Sequence, residues 1–247
     1  MPMDLFAPID VYCERTSDAF WSEPLNAWTN LAFLLAAGLL LPTLWELDRF
    51  GRSHPAAKLA TPARVLLVEL VMIGLGSFAF HTYANGLAAM ADVGSIAVFI
   101  LTFVGVYLRR ALGAPRWGAI VGPALLLAAS IGTPRLLLPL MPDRDYGYVM
   151  VYGPTVLAAA GLGFVAMRRG VAGGGFLVAA AGVFVLSMIV TGLDQPLCDV
   201  WPYGTHFIWH LLNACVLYLA MRGLLASADR ARDGEETATR GESDRSA

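Results

Sequence analysis

Seven apolar runs, each close to the ~20 residues that carry an α-helix across a bilayer, constrain this chain more than any motif in it. They fall at roughly 26–45, 64–83, 87–108, 117–131, 146–167, 174–193 and 205–225. Hydrocarbon offers no water to satisfy backbone N–H and C=O groups, so runs of this length must be helical. The expected fold class is therefore all-α, a polytopic membrane protein built as a seven-transmembrane-helix bundle over residues 1–225. Its first 25 residues form a polar, acidic and aromatic segment outside the membrane. Residues 226–247 are charged, with Gly, Ser and Thr and few large apolar groups, which predicts a disordered cytoplasmic tail. The fourth run is the shortest and carries Pro123.

Basic residues in short loops set orientation. Arg49, Arg52, Lys58 and Arg64 fall in or beside the first loop. Arg109, Arg110 and Arg116 fall in the third, Arg168 and Arg169 in the fifth, and Arg222, Arg230 and Arg232 at the start of the tail. The opposite side carries only Arg15, Arg135 and Arg144. The N-terminus is thus expected outside and the C-terminus in the cytoplasm. Asp4, Asp10, Glu14, Asp18 and Glu23 precede the first run where a signal peptide would be basic, so the first span doubles as the targeting signal. No basic tract interleaved with aromatics suggests a nucleic-acid partner. An alanine-rich composition points to a bacterial inner membrane.

Ionisable groups inside such runs are costly and tend to mark function. Ser77 and His81 lie four apart on one helical face, and Ala84-Asn85-Gly86 is a turn signal that folds the next helix back. Asp92 follows a few residues after the turn. The last run opens with His206-Phe-Ile-Trp-His210, whose histidines share a face at a spacing that one metal ion can bridge. With seven spans, His81, Asp92, His206 and His210 all reach the same membrane face. His54, in a basic loop, is expected to be solvated.

Three neutral imidazoles with a fourth position open form the ligand set of a catalytic zinc, which lowers the pKa of its bound water to about 7. Asp92 is then placed to move the water's proton to a leaving amine, and Ser77 to donate to the developing oxyanion, although a small residue at a helix contact explains Ser77 equally well. Glu69, about three turns deeper than His81, is assigned no chemistry. Asp10, Glu14 and Glu23, with Asn26 and Asn30, offer two readings: hard oxygen ligands for calcium, or a solvated acidic segment with the asparagines packed between helices. Cys13 and Cys198 both fall on the expected oxidising side, which permits a bridge over the site, whereas Cys215 is expected to pack inside the last span. Trp21, Trp28, Trp201 and Tyr203 suit an interfacial belt.

Ser77-x-x-x-His81, then Asp92 eleven residues on, then His206-x-x-Trp209-His210 in the last of seven helices, resemble the alkaline ceramidases and the wider CREST superfamily of membrane hydrolases. Tyr12-Cys13-Glu14 and Glu23-Pro-Leu-Asn26-Ala-Trp-Thr-Asn30 are also similar to alkaline ceramidases. The resemblance implies a zinc-dependent amidase cleaving ceramide to a sphingoid base and a fatty acid. His81, His206 and His210 become zinc ligands, Asp92 and Ser77 the catalytic pair, Glu14 and Glu23 calcium ligands, and Cys13–Cys198 a disulfide. Val11 stands where the family has another acidic ligand, and Val93-Gly94-Ser95-Ile96 follows Asp92 where the eukaryotic members have an acidic residue, Pro and Met. The expected function is metal-hydroxide attack on the amide of ceramide or a similar N-acyl lipid. The alternatives are a zinc-dependent ester hydrolase of another membrane lipid, or a metal-binding receptor or transporter without catalysis.

Overall fold

A computed structural model describes residues 4–49, 57–140 and 147–243. His54, Arg52 and Arg144 lie outside the described residues. The architecture is an all-α bundle with seven helices long and apolar enough to cross a membrane, that of a multi-pass membrane protein. Proline at the first position starts α1 (Pro24–Thr29), where a missing N–H costs nothing. A turn at Asn30 joins it to α2 (Leu31–Arg49), and the two together make the first span. Then follow α3 (Ala57–Tyr83), α4 (Gly86–Arg110), α5 (Gly118–Leu137), α6 (Gly147–Arg168), α7 (Gly174–Gly192), the short α8 (Asp194–Leu197) and α9 (His206–Ser243).

Two elements depart from the sequence-based expectation. The fourth span does not stop at 131: α5 and a 3-10 turn at Leu138–Leu140 carry it through Pro123 and Pro134. Membrane helices tolerate proline because local adjustments re-satisfy the freed carbonyls. The last helix does not end at 225 in a disordered tail but runs on to Ser243. Its polar extension is rich in Ala, Glu and Arg and lacks proline, so helix propensity outlasts the apolar stretch that ends at Ala228.

Consecutive spans pack side by side from α2 to α7, and α9 closes the ring by packing on both α7 and α2. The main core lies along this seam, in Leu40, Leu66, Leu70, Ile73, Phe99, Tyr107, Leu177, Met221 and Leu224. The outer faces are apolar as well, as lipid contact requires: Leu35, Val68, Ile120, Leu157 and Phe164 are all more than half exposed. A methyl on Gly163 would stand 2.7 Å from the carbonyl oxygen of Gly174, so glycine permits the close α6–α7 crossing.

The N-terminal segment lies across the end of the bundle where the α3–α4 turn emerges. Ile9 N–H donates to Ala84 O at 2.7 Å and Leu87 N–H to Leu5 O at 3.0 Å. Cys13 and Cys198 form a disulfide, with Cα atoms 5.3 Å apart, and this ties the segment to the loop before α9. Trp21, Trp28, Trp201 and Tyr203 are each about half exposed at this end of the bundle, as an interfacial belt requires. Cys215, expected in the interior, faces outward from α9; a small thiol costs nothing against lipid.

Candidate metal centre

His81 ends α3, while His206 and His210 begin α9, and the topology brings all three to one end of the bundle. One ligand atom from each lies within 4.8 Å of the others, and all three side chains are buried. Among the described residues this is the only group of three or more His, Cys, Asp or Glu close enough to share an ion.

Each ring is held from behind by its Nδ1 atom. His81 Nδ1 meets Glu23 Oε2 at 2.6 Å, His206 Nδ1 meets Thr191 Oγ1 at 2.9 Å, and His210 Nδ1 meets Thr29 Oγ1 at 2.8 Å. The Glu23 carboxylate can only accept, so it keeps the His81 proton on Nδ1 and the Nε2 lone pair free, and the two threonine hydroxyls can accept from His206 and His210 in the same way, the arrangement that orients histidines toward a metal. His81 Nε2 and His210 Nε2 are buried with no hydrogen-bond partner. Buried polar nitrogens are rarely left so. The donor set therefore fits a borderline-soft ion that takes nitrogen ligands.

Asp92 and Ser77 join this cluster. Ser77, four residues before His81, lies beside Asp92 where α3 meets α4, and Asp92 Oδ1 is buried without a partner. The contact depends on Gly76, where a methyl would lie 2.8 Å from Ala91 O and 3.2 Å from Asp92 N. Glycine lets α4 approach α3 closely there.

Among the described residues, Asp10, Glu14 and Glu23 are not gathered into one ligand group. Asp10 is exposed and apart from the others. Glu14 is buried and spends both oxygens on the start of the first helix, accepting from Leu25 N at 2.6 Å and Asn26 N at 2.8 Å. Burial pushes its carboxyl up from the ordinary range, against those two bonds. Glu23 already faces a cation. Arg15 Nε donates to its Oε1 at 2.5 Å, while the same guanidinium donates to Ser17 O and His81 O. Asn26 Nδ2 adds a bond to Glu23 Oε2 at 3.0 Å. Burial alone would raise the Glu23 carboxyl, but bonds from His81, Asn26 and Arg15 outweigh it and hold it below the usual range. An arginine folded into the acidic cluster supplies the positive charge there.

Several functional neighbours carry no sequence signal. Tyr12 stacks on His206, ring centroids 3.8 Å apart, and lies 5.1 Å from the His81 ring. Burial, and then the charge of Asp92, push its phenol above the ordinary tyrosine range, so it stays neutral over the site. Asp194 Oδ1 accepts from Thr205 N at 2.6 Å and His206 N at 2.9 Å, capping α9, and Asp194 Oδ2 accepts from Cys13 N at 3.1 Å. One carboxylate thus fixes both the helix that bears two histidines and the strap that bears Tyr12. Asp194 precedes the helix by twelve residues, too far for a capping pattern to reveal it.

No protein-family model matches this chain, and no curated protein matches it significantly. The chemistry of the site rests on its own geometry.

A cavity of about 490 Å³ opens at the histidines. Tyr12, Ser77, Asp92, His206 and His210 line its polar end; Phe99, Phe103, Leu162, Leu177 and Ala220 line its interior. From His210 to Ala220 along α9 is about 15 Å at 1.5 Å per residue, so the cavity reaches well into the hydrocarbon layer. A polar end and an apolar body of this depth suit an amphiphile with a hydrocarbon tail. Glu69 lies apart from it, accepting from Thr102 Oγ1 at 3.0 Å between α3 and α4.

Proposed function

We propose that this protein is an intramembrane zinc-dependent lipid amidase that hydrolyses ceramide, or a similar N-acyl lipid, to an amine and a free fatty acid. One observation carries the proposal. Three imidazoles with tethered Nδ1 atoms converge beside Asp92 at the polar end of a deep apolar cavity. The ceramidase-like histidine motifs support the amide as the bond cleaved.

A zinc ion held by His81, His206 and His210 would supply a Lewis acid and a water of pKa about 7. The chain's own residues do the rest. The apolar cavity takes the acyl chain and sets the carbonyl among the histidines, Asp92 and Tyr12. Asp92, with Oδ1 free, takes a proton from the attacking water and returns it to the departing nitrogen. Water adds to the carbonyl carbon, the C–N bond breaks, and the products are a carboxylate and an amine. Ser77 holds Asp92 in place. Glu23 orients His81, and Arg15 in turn fixes Glu23. The loop arginines and lysine at the opposite end support reading this face as the outer one of a bacterial inner membrane.

The test is fatty-acid release from an unsaturated ceramide by the purified protein, run beside an ester lipid with the same acyl chain. Release from ceramide alone is expected; release only from the ester would replace the amidase with an esterase. Glu23→Gln should weaken zinc affinity about 10–100-fold, measured by competition with a chelator, because the His81 ring loses its charged partner. The same change strips a buried guanidinium of its anion, so thermal stability should fall by about 3–5 kcal/mol. Unchanged zinc affinity would remove Glu23 from the site.

A further inference from the structure

A second cavity, of about 650 Å³, lies between α4, α5 and α6 at the same end of the bundle. Val93, Ile96, Ile100, Val151, Tyr152 and Thr155 line both this cleft and the cavity at the histidines, so the two share a wall. The outer wall is α5, the least embedded span, in which Leu126 is the sole buried residue among those described. Pro134 interrupts that helix beside the cleft. The lining is apolar except for Ser130, Thr155, the Tyr152 hydroxyl and Arg135.

Arg135 is the feature to explain. Its side chain is exposed, and Nη1 donates to Ile131 O at 2.8 Å, which folds the guanidinium back along its own helix. By the topology, Arg15 and Arg135 are the Lys or Arg side chains at the histidine end among the described residues, and Arg15 is buried against Glu23. Arg135 is therefore the exposed Lys or Arg of this face among the described residues, and it stands on the wall of an apolar cleft. A neutral N-acyl lipid gives it nothing to bind. Hydrolysis of an acyl amide or ester creates one new charge, the fatty carboxylate, and a guanidinium is the side chain best shaped to take a carboxylate.

We infer that the α4–α5–α6 cleft is the fatty-acid site through which the acyl product leaves toward the bilayer, with Arg135 binding its carboxylate. The inference rests on the acyl-hydrolase reading, but its test needs no turnover. The purified protein is incubated with a fatty acid carrying a photoactivatable diazirine in its chain, irradiated, and the labelled peptides are mapped. Labelling of α5 is expected, displaced by oleate and much less by oleyl alcohol. Arg135→Gln should reduce it about tenfold, the worth of one charge-assisted contact, and Arg135→Lys should restore most of it. Ala97→Phe, which fills the cleft from α4, should abolish it while leaving Arg135 in place. Equal labelling of wild type and Arg135→Gln, or equal displacement by oleate and oleyl alcohol, overturns the inference. So does displacement by phosphatidylglycerol but not oleate, which would make Arg135 a contact for lipid headgroups. Arg135-dependent labelling in a protein that releases no fatty acid would keep the binding site and remove the hydrolase.

Discussion

Replacing His210 with alanine is expected to abolish metal binding while leaving the seven helices assembled. His210 supplies one of two Nε2 atoms that are buried without a partner among the described residues, and its Nδ1 meets Thr29 Oγ1. Zinc in proteins is nearly always four-coordinate, and catalytic sites draw three ligands from the chain. With two imidazoles left, the zinc content by elemental analysis should fall from about one per chain to background. Fatty-acid release should vanish with it. The fold should survive, because the seam of leucines and aromatics deeper in the bundle does not touch His210. A chelator then gives a cleaner readout than activity. It should lower the unfolding temperature of the wild type, since a ligand bound only to the folded state stabilises it, and should not shift the variant. Stoichiometric zinc in His210→Ala would mean that the metal sits elsewhere.

Asp92→Asn should have the second-largest effect, with the opposite metal signature. The amide matches the carboxylate in size, so α3 and α4 keep their contact at Gly76. Zinc content should stay at the wild-type level. What is lost is a group that can take up and return a proton, a role typically worth about 10²–10⁴-fold in rate. The fall should appear in kcat with KM nearly unchanged, because the acyl chain still fills the same cavity. Full activity in Asp92→Asn would leave the acid–base role without a residue.

The spans and the histidine triad were legible because each depends on local periodicity. Apolar runs of fixed length declare themselves one at a time, and His206 and His210 share a face through nothing more than helical spacing. Counting the spans then placed His81 and Asp92 beside them. What escaped was everything held by one side chain crossing to a distant element. Thr29 and Thr191 are ordinary helix residues until their hydroxyls meet His210 and His206. The acidic N-terminal segment left calcium and simple solvation both open, because spacing reveals carboxylates but not what folds among them; Arg15 lies against Glu23 there. Asp194 looks like loop polarity and turns out to hold α9, Cys13 and the position of Tyr12 together. The tail failed for another reason, since hydropathy tells where a helix leaves lipid and says nothing of where it ends.

Closure of the ring by α9 has a consequence for how the molecule comes into being. Synthesis delivers Glu23, Thr29 and His81 first, and His206 and His210 only after six spans have been laid into the bilayer. A chain cut short before residue 206 has a single histidine in the cluster and a first span with no neighbour on one flank. Nascent fragments therefore lack the complete histidine cluster, which forms in one late event, when the final helix docks between the first and the sixth. The bundle in effect certifies its own completeness before it can act.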